Sequence, residues 1–139
     1  MAIFRETLSL SHEGVMKALA AAVAHAESMG VPQNIVIVDA SGEVLGQIRM
    51  DGAKFLSVHT ARAKAKTAAS SNVATGGMAF EFGVAAGLAS QGQVTHLPGG
   101  LPIRFGGKLA GGIGVGSGKG EEDIEVGRAA LAAIGADAV

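Results

Sequence analysis

The sequence has no cysteine, no tryptophan and no tyrosine; it has three prolines, and five phenylalanines are its whole aromatic content. Without cysteine there are no disulfides, thiolate zinc sites, iron–sulfur clusters or thiol nucleophiles. Without Trp or Tyr there are no stacking platforms for single-stranded nucleic acid. Eleven basic residues against twelve acidic ones leave no basic footprint for a duplex either. Nucleic acid is therefore not expected as a partner. No apolar run approaches the ~18 residues of a membrane span. The opening Met1-Ala2-Ile3-Phe4-Arg5-Glu6 has no basic flank leading into an apolar stretch, so no signal peptide is expected. These absences together point to the cytoplasm.

Small residues fill the space left by the missing ones. Hydrophobic residues make up 48% of the 139 positions although aromatics are only 4%, and 22 positions are glycine. That apolar content, at a net charge of -1, excludes disorder. A core of this kind packs its elements close together and has few of the large anchors that stabilise a monomer, which favours a homo-oligomer. The length suits a single domain over residues 1–139.

Local patterns divide the chain into alternating helices and hairpins. Ser11 is placed to cap a helix with Val15, Leu19, Ala22, Val23, Ala26 and Met29 on one face, stopped by Gly30 and Pro32. Ile35–Val38 and Val44–Ile48, separated by Asp39-Ala40-Ser41-Gly42, read as a hairpin. Residues 52–70 read as a helix rich in Ala, Lys and Arg, and 78–90 as a shorter one weakened by Gly83 and Gly87. Residues 101–105 and 108–115 flank Gly106-Gly107, a strong two-residue hairpin signal. A last helix over 120–134 opens on Glu121, Glu122 and Asp123, the charge its dipole favours. The fold expected is α+β: an antiparallel sheet built from two hairpins, with helices packed on both sides.

The run from Gly111 to Gly120 invites a nucleotide reading and fails it, since neither G-x-G-x-x-G nor the P-loop spacing occurs. Its glycines instead suit close strand packing and a tight turn. The Thr95–Pro102 loop sets Pro98 and Pro102 around Gly99 and Gly100, which suits either the lining of a cleft or a plain connection. Beside it His96 is a candidate ligand or proton acceptor, although a loop histidine usually serves as neither.

Arg49-Met50-Asp51-Gly52-Ala53, then Ser57, Ala61, Lys64-Ala65 and Thr67-Ala68, then Pro98-Gly99-Gly100-Leu101-Pro102, then Gly111–Gly116 occur in that order. Together they resemble the GlcG/HbpS-like family of haem-degrading domains, which includes the C-terminal domain of PduO-type corrinoid adenosyltransferases. The resemblance spans about residues 8 to 135. It implies a central antiparallel sheet between helices, homo-oligomers, haem binding in some members and an association with catabolic operons.

Helical geometry sorts the candidate residues. At 100° per residue, Ser57, Ala61, Lys64 and Ala68 share a face, while Arg62 and Lys66 point away from it. A lysine among alanines wants an anion, and Asp51 is the nearest candidate by motif. The two residues read either as a catalytic or carboxylate-holding pair or as an ion pair tying the hairpin to the helix. His59 lies on the opposite side near Phe55, and His25 flanks the stripe of the first helix. Both are candidate haem-iron ligands, and Met50 is a third, though it reads as core filling. Glu122-x-x-Glu125 resembles an iron-binding pair in some members, but at a helix start it reads as a solvated dipole complement. No H-x-x-x-H spacing supports a zinc site.

Two functions follow as expectations. The first is a protein binding haem or a related tetrapyrrole, with iron on His59 or His25. The second is a small-molecule enzyme or accessory protein acting on a carboxylate-bearing substrate by proton transfer or isomerisation. Its ligand-binding cleft would lie among Arg49, Met50, Asp51, Ser57, Lys64, His96, Pro98, Gly99 and Gly100, with Asp51 and Lys64 catalytic.

Overall fold

A computed structural model describes all residues, 1–139. Four helices, α1 (His12–Met29), α2 (Ser57–Ser71), α3 (Phe80–Ala89) and α4 (Gly120–Ala133), accompany four strands. The strands are β1 (Asn34–Asp39), β2 (Val44–Arg49), β3 (Gly100–Phe105) and β4 (Lys108–Gly116). They form one antiparallel sheet in the order β2-β1-β4-β3, so the hairpins β1–β2 and β3–β4 join through β1 and β4. α1 and α4 pack on one face and on each other, and α2 covers the other face. The α+β expectation holds.

Most element ends follow the local signals. Ser11 Oγ accepts the Gly14 N–H at 3.1 Å, capping α1, and Gly30 ends it at φ 69°. Gly106 and Gly107, both at positive φ, turn β3 into β4. The second helix begins later than expected, at Ser57 instead of 52, because Gly52 turns at φ 87° and residues 53–59 form successive short turns first. α3 likewise begins at Phe80 rather than at 78.

The two faces of the sheet are packed by different means. Toward α1 and α4, β-strand alternation delivers Ile35, Ile37, Leu101, Ile103, Ile113 and Val115 into one core with Val15, Ala22, Val126 and Leu131. Toward α2 the alternate residues of β4 are Gly112, Gly114 and Gly116, and Ala61, Ala65 and Ala69 of the helix lie against that side of the sheet. A Cβ at Gly114 would collide with the Ala61 carbonyl and come within 2.6 Å of the Ala65 nitrogen; one at Gly112 would strike the Ala65 carbonyl. Backbone thus rests on backbone, and the glycine run is a packing surface.

α3 is the exception to this economy. Phe80, Phe82, Val84 and Leu88 are exposed, at 66, 63, 44 and 78%. The helix is held chiefly by His96, whose ring meets Phe80 edge-on at 5.4 Å and lies beneath Gly83. His96 is therefore a half-buried packing residue, not a free loop histidine. No helix of the chain is long and apolar enough to cross a membrane.

Candidate functional site

At one end of the sheet, where β4 runs into α4 and the chain enters α2, several polar groups are withdrawn from solvent. The Lys64 ammonium donates to the Val115 carbonyl at 2.8 Å and to Asp123 Oδ2 at 3.0 Å, with side-chain exposures of 6 and 3% for the pair. The anion that the lysine needs is therefore Asp123, not Asp51. Asp51 lies exposed on the far side of the β2 turn, where it borders clefts with Arg49, Met50 and Pro32. The cleft expected among the Arg49-Met50-Asp51 turn, Lys64 and the Pro98 loop is thus split. Lys64, Ser57 and Pro98 share a cavity of about 240 Å³ with Lys54, Thr60, Ser117 and Gly118.

Asp123 belongs to this end because α4 buries Asp123, Val126, Gly127, Ala130 and Leu131, an i, i+3, i+4, i+7, i+8 stripe. Burial pushes its pKa up; the Lys64 charge and hydrogen bond oppose that, helped by the Gly118 N–H at 3.1 Å and the nearby Gln33 amide. Gln33 is fully buried, and neither its amide nitrogen nor its oxygen has a partner in hydrogen-bonding geometry. Asn34 Oδ1 is likewise unpaired, while its Nδ2 donates to the Lys54 carbonyl at 2.8 Å. Each orphaned polar atom costs about 1–3 kcal/mol, so this end of the fold gives up stability to keep polar groups together.

Short contacts fix the cavity wall. Ser117 Oγ accepts from the Lys54 N–H at 2.9 Å. The Gly100 N–H donates to Thr75 Oγ1 at 2.8 Å, and the Gly99 carbonyl accepts from Val115. Gly99 and Gly100 are buried and their backbone is occupied, so the Pro98 loop lines the cleft through Pro98 and Leu97. Sequence reasoning missed Thr75, Gln33, Ser117 and, above all, Asp123. For Asp123 the signal was present: it falls in phase with the apolar stripe of its helix.

The histidines sit elsewhere. His25 Nε2 meets Glu125 Oε2 at 2.8 Å across α1 and α4, which accounts for half of the Glu122-x-x-Glu125 pair. Glu122 accepts the Lys119 N–H at 2.7 Å, capping α4. These two glutamates do separate structural work, and no cluster of three acidic, histidine or cysteine side chains is suited to a metal. His59 is exposed on the outer flank of α2. Phe55 and Leu56, exposed at 68 and 65%, precede it, and Arg62 follows one turn on, donating to Gln47 of β2.

A family model described as haem degrading protein HbpS-like matches residues 10–132. The chain belongs to the HbpS-like family. Within that family it is similar to the corrinoid adenosyltransferase PduO of Citrobacter freundii, 38% identical over 132 residues that cover 91% of this chain and 39% of that protein. The HbpS-like chain thus spans about two-fifths of the length of that curated relative. A solved PduOC–haem complex is 30% identical with a TM-score of 0.86, over 94% of this chain and 99% of that one. A double mutant of Streptomyces reticuli HbpS is 33% identical with a TM-score of 0.83, over 95% and 91% of the two chains.

Proposed function

We propose that this chain binds haem or a related tetrapyrrole, with His59 as the iron ligand. The observation that carries the reading is the solved haem complex of a relative sharing the fold over nearly the whole chain. The residues present suit the group. His59 offers an exposed imidazole, whereas the ring of His25 is engaged by Glu125. Phe55 and Leu56 provide an apolar surface beside it, of the kind a porphyrin covers. Arg62, Arg49 and Lys66 supply cations for propionates on the same side of α2 and the neighbouring edge strand. Bound haem supplies an iron centre for ligand or redox chemistry; the chain's part is to hold the iron through imidazole and to orient the carboxylates.

Self-association belongs to the same reading. α3 is apolar around its circumference, and a helix of that kind is normally covered. A second copy of the chain is the proposed cover. A cytoplasmic location fits a chain without cysteine.

Haem titration followed by the Soret band tests the ligand assignment. Wild type and His25→Ala are expected to give a saturable one-to-one shift that His59→Ala loses. A weak, non-saturating change equal in all three proteins would retire the haem reading.

A further inference from the structure

The unspent hydrogen-bonding capacity of the cavity beside Lys64 is almost all of one kind. Two Lys64 N–H groups are taken by Val115 and Asp123, which leaves a third. Ser117 Oγ accepts from the Lys54 N–H, so its own proton is free to donate. The Ser57 hydroxyl and the exposed Lys54 ammonium complete a set of donors. Thr60 is the exception: its proton goes to the Ser57 carbonyl at 3.2 Å, which leaves its oxygen as an acceptor. The matching guest is rich in acceptors and offers one donor.

Charge and size narrow the class. Two lysines face the buried Asp123, and the Glu122 carboxylate stands behind Gly118. That balance accommodates a monoanion and repels a phosphate dianion. A volume of about 240 Å³ holds about eight water-sized groups, which suits a short acid and excludes a nucleotide or a tetrapyrrole. Independently, the buried and unpartnered Gln33 amide abuts the wall at Gly118, with Nε2 only 2.6 Å from where a Cβ there would stand. A side chain at Gly118 would close this polar corner, and the chain has none.

We propose that this cavity binds a small 2-hydroxy monocarboxylate, its carboxylate on Lys64, Lys54 and Ser117 and its hydroxyl donating to Thr60. The site is separate from the α2 flank assigned to haem, since Lys64 and His59 lie on opposite sides of the helix.

The test uses haem-free, uniformly 15N-labelled full chain and follows the amides of Ser57, Thr60, Ser117, Gly118 and Gly120. L-Lactate, propionate (which lacks the hydroxyl) and inorganic phosphate are titrated in turn. The expected result is a saturable, millimolar response to L-lactate, about three- to tenfold tighter than to propionate, with phosphate weaker than either. Thr60→Val should abolish the preference for lactate, and Lys54→Gln should weaken both acids together. The wild-type comparison needs no variant, and Lys54 is exposed, so folding does not confound the outcome. Absence of a saturable response to either acid, equal or tighter phosphate binding, or an unchanged preference in Thr60→Val would each overturn the proposal. None of these outcomes bears on the Soret titration, so the two readings fail separately.

Discussion

Lys64 and Asp123 show how unequal the two halves of a buried pair are. Lys64→Met leaves a carboxylate withdrawn from water with its main counter-charge gone, and the expected loss at neutral pH is about 3–5 kcal/mol in urea unfolding. Lys64→Met/Asp123→Leu should recover most of it, because two apolar side chains leave no stranded charge. The pH dependence has a definite sign. Burial raises the folded pKa of Asp123 above its ordinary 3.8, so its contribution is greatest below that value and declines as pH rises through the folded pKa. Lys64 moderates the rise, so the deficit of Lys64→Met should narrow when the same unfolding is measured toward acid pH. Asp137 behaves oppositely. The Gly107 and Gly106 N–H groups, at 2.7 and 2.9 Å, hold its carboxyl below the ordinary value. Its contribution is present above the unfolded pKa and lost as pH falls through the folded one. Asp137→Asn should therefore lower the urea midpoint at neutral pH, and acidification should close the gap. The need of Lys64 for an anion was legible in its alanine-rich face. The partner was not, because nearness in motif order favoured Asp51 whereas the fold brings the start of α4 under α2.

At the scale of the element, the contact of α2 with β4 is the least forgiving. Gly114→Ala inserts a methyl group between two backbones that cannot separate without lifting the helix, so a loss of about 1–3 kcal/mol or more is expected from thermal unfolding. The far-UV circular dichroism of the variant should remain native-like at low temperature. This contact was half legible: the glycine run suggested close strand packing, but which face the glycines occupy follows from the register of β4 with β1. Both hairpins were readable because their turn residues demand one geometry. The start of α2 was misplaced by five residues, since Gly52 to Leu56 carry helix-compatible side chains on a backbone that Gly52 diverts into turns.

For the whole molecule, composition and the order of four weak motifs sufficed for the fold, because strand and helix patterns constrain topology jointly. The binding residues were less legible, since they come from six separate segments that only the closed sheet brings together. The exposed α3 carries the expectation at this scale. Light scattering after size exclusion should give a mass that is a multiple of the protomer's, and Leu88→Glu or Phe82→Glu should shift it toward the single chain. A wild-type mass equal to one protomer would remove the basis for self-association.

The glycine stripe of β4 also bears on how such a chain can change over generations. On the α1 and α4 side, side chains of different volume can compensate for one another, so that core can be rewritten one step at a time. On the α2 side there is no side chain to trade. A larger residue in β4 is tolerated only if the helix backbone moves, and no single alanine-to-glycine exchange on α2 removes the carbonyl in the way. Descendants of this sequence are therefore expected to drift first beneath α1 and α4, while α2 and β4 pass on together as an inherited unit.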